Sequence, residues 1–176
     1  APPGTRPAAG VCAHNRPMTE NLIASKDNPR IKAAKRLHQR RERIERRALL
    51  LEGVRLVADC WSAGVRPLQI FHVPEMLGAD SPGAALLHTM MRAGVETWAC
   101  TPAVFAELSE TVTPQGLAAV VPLPELPIPP NPAFALVLDG VRDPGNAGTL
   151  LRSAEALGVD LVLFGPDTVD AFNSKV

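Results

Sequence analysis

Pro122–Pro132 reads PLPELPIPPNP, six prolines in eleven residues. Each proline fixes its own φ and removes a backbone donor, and it pushes the residue before it toward extended backbone. Neither a helix interior nor a central strand tolerates that density, so residues 122–133 are expected to form an extended, semi-rigid spacer. The spacer splits the 176-residue chain into a longer part, 18–121, and a shorter part, 134–176. Ahead of both, residues 1–17 are Pro/Ala/Gly-rich and polar, which predicts a disordered extension. Hydrophobic residues make up 46% of the chain, enough for a core, so wholesale disorder is excluded. No apolar run approaches the ~20 residues of a membrane span.

On the N-terminal side of the spacer, strand and helix signals alternate. Asn28-Pro29 is a helix start, with Asn as cap and Pro at the first helical position. Ile31, Ala34, Leu37 and Ile44 then fall near one face, predicting a helix that runs to about Arg47. Ala48–Leu51 is an apolar strand, and Val54–Ala63 a helix closed by Gly64. Leu68–Val73 is a strand, Pro82–Ala93 a helix closed by Gly94, Val95–Cys100 a strand and Pro102–Leu108 a short helix. Thr113–Gly116 is a turn before a last strand, Leu117–Val121. This alternation predicts an α/β domain over 18–121 with a largely parallel sheet.

Eighteen Lys and Arg balance eighteen Asp and Glu, but the balance hides two opposed halves. Residues 1–66 carry a net +8 and residues 67–176 a net −8. Lys26–Arg47 alone holds ten basic residues against Asp27, Glu42 and Glu45. Such one-signed helices gain from phosphate, so this segment is expected to contact RNA or DNA. The candidates are Lys26, Asn28, Arg30, Lys32, Lys35, Arg36, Arg40, Arg41 and Arg43, with Arg142 from the second part. Cys12, Cys60 and Cys100 are odd in number and widely spaced, which argues against a disulfide framework or zinc site and for a reducing cytosol. His14, His38, His72 and His88 match no metal or triad spacing, and His38 is expected on the surface of the basic helix.

Beyond the spacer, Phe134–Leu138 starts a new strand, and Leu161–Phe164 is another. Between them lies Asp139–Arg152, DGVRDPGNAGTLLR: a turn-rich loop, then a helix that Asn146 can cap and Gly158 ends. A loop of this kind between strand and helix N-terminus can hold anions. It is neither a P-loop nor a dinucleotide fingerprint.

Taken in order, SKDNPRIK (25–32), EGVRLV (52–57), LSETVTPQG (108–116), DGVRDPGNAGTLLR (139–152) and GVDLVLFGPDTVDAFNSKV (158–176) resemble the SpoU/TrmH family of RNA 2′-O-ribose methyltransferases. Within it they resemble the branch with an N-terminal domain like ribosomal protein L30e. The resemblance implies an L30e-like RNA substrate-binding α/β domain at 18–121, and at 134–176 the first part of a SPOUT α/β domain, whose deep C-terminal trefoil knot binds S-adenosylmethionine. It implies methyl transfer to a ribose 2′-hydroxyl, most readily in large-subunit ribosomal RNA, with transfer RNA as a further target, in a cytoplasmic homodimer without metal or membrane. Asn146-x-Gly148-x-x-x-Arg152 matches the family's first motif, which makes Asn146 and Arg152 the catalytic candidates. Arginine is a poor formal base, so Arg152 is expected to orient the hydroxyl and an adjacent phosphate. The family's two later motifs are not in the chain, so the cofactor site is expected beyond Val176, and these residues are expected to bind RNA without catalysing transfer. The alternative is a non-enzymatic RNA-binding protein built on the L30e-like domain.

Overall fold

A computed structural model describes residues 22–176, so the extension expected at 1–17 lies outside the described residues. The first part contains β1 (Leu22–Ile23), α1 (Pro29–Arg36), α2 (Arg40–Arg46), β2 (Ala48–Glu52), α3 (Val54–Ser62), β3 (Gln69–His72), α4 (Pro82–Arg92), β4 (Glu96–Cys100), α5 (Pro102–Phe105) and β5 (Leu117–Pro122). The second contains β6 (Ala135–Leu138), α6 (Pro144–Ala156) and β7 (Leu161–Phe164). Residues 123–134 between them hold no helix or strand. None of the described helices is long and apolar enough to cross a membrane.

The first five strands form one sheet in the order β1-β4-β3-β5-β2. The expectation of a largely parallel sheet needs correction. β4 runs parallel to β1 and β3, whereas β5 is antiparallel to both β3 and β2. Strands β1–β4 thus share one direction and only β5 opposes them. After β4 the chain makes α5 and the turn at Thr113–Gly116 and re-enters the sheet from the end where it left.

Period-two alternation builds a core on each face of this sheet. On one side Phe71, Val73, Ala118 and Val120 pack with Ile31, Ala34 and Leu37 and with Val104, Phe105 and Leu108. On the other side Ile70, Leu117, Ala119 and Val121 pack with Val57, Leu87 and Met90 of α3 and α4. The result is three layers, helix, sheet, helix.

The single helix expected over Pro29–Arg47 is two helices. The chain breaks after Leu37 and restarts from an extended Gln39. Arg43 holds the break, its guanidinium donating to the carbonyls of Leu37 (2.9 Å) and His38 (2.7 Å). The break shifts the helical phase, so Arg43 is buried at 6% exposure while Ile44, expected in the core, is 58% exposed.

In the second part, β6 and β7 pair in parallel with α6 as the crossover. Contacts among the described residues fasten it to the first part. Arg43 forms an ion pair with Asp170, and Ser174 bonds Glu110. Phe172 packs on the Leu49–Val57 side of the first core.

Candidate functional site

The first turn of α6 is built by Asp143, whose Oδ1 accepts from the Asn146 amide at 2.7 Å, with Pro144 at the first helical position. Asn146 is therefore not the cap, and its exposed side chain is left for other work. From it, Asn146, Thr149 and Arg152 follow one i, i+3, i+6 row along the helix, and Arg152 lies 3.4 Å from the Thr149 hydroxyl that faces it. Gly148 is buried beside this row, where a Cβ would overlap the Val176 carbonyl oxygen. The glycine spacing thus reflects close backbone approach rather than helix preference.

The loops after β6 and β7 interlock at the carboxyl ends of the strands. The amide of Gly165 donates to Leu138 (2.8 Å), that of Gly140 to Pro166 (3.3 Å) and that of Val169 to Val141 (2.9 Å). A Cβ on Gly165 would stand 3.2 Å from Asp139. Arg142 lies exposed in the first of these loops.

Arg152 faces the first part across an open cleft of about 700 Å³, whose walls also carry Arg55, Asp59, Thr111, Gln115 and Glu155. The near wall is fixed by two side chains. Glu52 accepts from the hydroxyls of Ser109 (2.7 Å) and Thr111 (2.8 Å) and from the Glu110 amide (3.3 Å). Gln115 accepts from the Val54 amide at 2.9 Å, capping α3 where Gly53, at φ +105°, offers no side chain to do so. The LSETVTPQG segment, one of the motifs that carry the resemblance, is thus a wall of the cleft. Arg55 and Gln115 lie within the EGVRLV and LSETVTPQG motifs, yet their spacing from Arg152 carries no periodic signal that assigns them to the site.

The basic candidates divide into three sets. Lys26 and Lys35 both bond Glu107, at 2.7 and 2.6 Å, and these bonds hold the Glu107 carboxyl down at about 2. Lys32 pairs with Asp27 at 2.6 Å. Arg30 lies over the Trp98 ring at 4.0 Å with Glu96 at 3.7 Å, and Asn28 caps α1 by accepting from the Arg30 amide. These positions are exposed but partly neutralised. Arg36, Arg40 and Arg41 are exposed and enter no salt bridge among the described residues. Arg43 leaves the surface set, because its guanidinium is buried on two carbonyls and Asp170. His38, expected on the helix surface, is half-buried with its Nε2 3.0 Å from the Leu108 carbonyl.

Two further buried groups lie outside the cleft. Burial, with a smaller push from His88, lowers His72 to about 4, and its Nδ1 has no partner among the described residues. Burial pushes the Cys100 thiol up to about 12, which makes it inert. Among the described residues no group of three or more His, Cys, Asp or Glu gathers as a cation site.

Comparison with known proteins completes the picture. Residues 28–119 match the family described as the MRM3-like substrate binding domain, and residues 133–176 match the SpoU rRNA methylase family. The chain is 35% identical over 154 residues to the 23S rRNA (guanosine(2553)-2′-O)-methyltransferase RlmP of Bacillus subtilis, covering 87% of this chain and 58% of that protein. Among solved structures, the rRNA methyltransferase from Sinorhizobium meliloti superposes with a TM-score of 0.72 at 25% identity, covering 88% of this chain and 58% of that one. The SpoU methyltransferase AviRb from Streptomyces viridochromogenes, solved with the cofactor AdoMet, superposes with a TM-score of 0.70 at 26% identity, over 84% and 57%. The chain therefore spans a little under three fifths of these relatives' length. With both matches in chain order on the two parts of the fold, the chain belongs to the SpoU/TrmH family of RNA methyltransferases, with an MRM3-like substrate-binding part followed by a SpoU methylase segment.

Proposed function

We propose that this chain serves an RNA 2′-O-ribose methyltransferase that acts on large-subunit ribosomal RNA with S-adenosylmethionine as methyl donor. In its full form the enzyme works as a homodimer in the cytoplasm. Residues 18–121 bind the RNA, 122–133 act as the spacer, and 134–176 supply the substrate side of the methylase. The observation that supports this reading is Arg152, at the end of the Asn146–Thr149–Arg152 row, facing the substrate-binding part across one cleft.

The residues present do not by themselves fit the cofactor. The loops at the ends of β6 and β7 fill the crevice with their own backbone bonds, and Asp139 occupies the space beside Gly165. What these residues do is hold the nucleophile. Arg152 binds the phosphate next to the target ribose and fixes the hydroxyl in line, where positioning supplies most of the rate. Asn146, with both a donor and an acceptor free, orients the same ribose. RNA reaches the cleft along Arg36, Arg40 and Arg41, three of the cations without a salt-bridge partner among the described residues.

Deleting the gene in its host and mapping ribose methylation across the ribosomal RNA by mass spectrometry tests the reading. A 2′-O-methyl mark should vanish from the large subunit, return with the intact gene, and stay absent with Arg152→Ala. An unchanged map contradicts methyl transfer, and retained RNA binding in that case would leave a non-enzymatic RNA-binding protein. The 176 residues alone are expected to bind RNA and to transfer no label from tritiated S-adenosylmethionine.

A further inference from the structure

The cleft between α3 and α6 contains a second guanidinium that neither motif matching nor spacing assigns. Arg55 lies in the first turn of α3, exposed, and lines the same cleft as Arg152. Neither arginine enters a salt bridge among the described residues, although Asp59 is four residues from Arg55 and Glu155 three from Arg152. Helical neighbours of opposite charge can pair at that spacing, and here neither pair forms. The third carboxylate of the wall, Glu52, is already taken by Ser109, Thr111 and the Glu110 amide. Gln115 spends its oxygen on the Val54 amide and keeps its NH₂ as a donor.

The cleft thus offers two cations from opposite walls, one amide donor and two uncommitted carboxylates. A bare polyanion would meet Asp59 and Glu155. A nucleotide unit satisfies the whole set, because guanidiniums grip phosphate while carboxylates accept from base amino groups. We infer that Arg55 is a substrate-positioning residue: it holds the RNA backbone opposite Arg152, so that a single-stranded nucleotide step is clamped between the substrate-binding part and α6. This rests on the proposed reading of the chain as part of an RNA methyltransferase. It adds where the strand runs and which residue of the first part places it.

The test is the affinity of the 176-residue chain for a fluorescein-labelled, single-stranded RNA 12-mer, followed by anisotropy across a salt series. Each phosphate contact to a single strand contributes about 0.7 to the salt slope, or about five-fold in affinity at 0.1 M salt. Arg55→Gln should therefore weaken binding about five-fold and lower the slope by about 0.7. Arg55→Lys should restore the slope, because it keeps a point charge on the phosphate. Arg55→Gln combined with Arg152→Gln should lose less than the product of the single effects, since one strand leaves the clamp when either side opens. Wild-type affinity for Arg55→Gln, in a chain that Arg40→Ala/Arg41→Ala still weakens, overturns this inference and leaves the family reading standing. Multiplicative losses, or no rescue by lysine, also overturn it. A chain that binds no RNA overturns both.

Discussion

The two parts of this chain show two ways of being folded. The five-stranded part buries apolar side chains on both faces, with Ile70, Phe71 and Leu117 at 0% exposure. The two-stranded part buries few: Leu138, Ala147 and Ala154 are inside, but Val137 is 60% exposed and Leu157 71%. A pair of strands with one helix covers only one side of itself, and such a unit is marginal alone. It is held instead by what it borrows from the first part, Asp170 from Arg43 and Phe172 from the core beside β2. The same borrowing places Arg152 opposite Arg55, so the geometry of the site depends on the weaker part leaning on the stronger.

Substitution breaks this contrast most directly. Phe71→Ala in the first part is expected to cost about 3–5 kcal/mol by chemical denaturation, the cost of a large buried cavity. Val137→Ala in the second part is expected to shift stability by less than about 0.5 kcal/mol, as at other exposed positions. Equal losses would mean that the second part has a core of its own.

Next in size is the fastening between the parts. Arg43→Ala strands Asp170 and two backbone carbonyls, so a loss of about 3 kcal/mol is expected. Pairing Arg43→Met with Asp170→Leu should recover part of that, because no buried charge is left alone. The loss should be accompanied by faster proteolysis within residues 123–134, if the ion pair is what docks the second part. A double variant as unstable as Arg43→Ala would show that the carbonyl contacts alone matter.

Acid sharpens the contrast from the other side, because His72 lies in the first part. Its folded value of about 4 lies below the ordinary 6.5, so the unfolded chain binds more protons between those values. Stability is then full above about pH 6.5 and falls as pH drops toward 4, by about 3 kcal/mol at 1.36 kcal/mol per unit. His72→Phe should flatten that slope in a pH series of denaturant midpoints. A slope unchanged by the substitution would assign it to other groups.

Much of this arrangement is visible in the sequence, because its signals are local. Glycines after α3 and α4, the proline spacer and the apolar runs mark most elements to within a residue or two, whereas the short helix expected over Pro102–Leu108 ends at Phe105. Asn28-Pro29 identifies the cap of α1, and the same logic at Asp143-Pro144 would have shown that Asp143, not Asn146, caps α6. What escapes is non-local. β1 is two residues long and has no period to detect. The direction of β5 depends on which end of the sheet the chain re-enters after β4, not on the composition of β5. The burial of Arg43 depends on a helix break that leaves two carbonyls to satisfy and on Asp170, 127 positions away. The site divides along the same line. Asn146 and Arg152 stand out as a motif on one helix, whereas Arg55 and Gln115 join them only through the docking of the two parts.

On the proposed reading, the first part brings RNA to the second through surface cations that have no salt-bridge partner among the described residues. The measurement that tests it is the affinity of the chain for a large-subunit ribosomal RNA fragment, wild type against Arg36→Ala/Arg40→Ala/Arg41→Ala, at two salt concentrations. Binding should weaken steeply with salt, and the variant should bind at least ten-fold more weakly with a shallower salt slope, since each lost phosphate contact removes about 0.7–0.9 of it. Wild-type affinity and slope in the triple variant, with the fold intact, would contradict it.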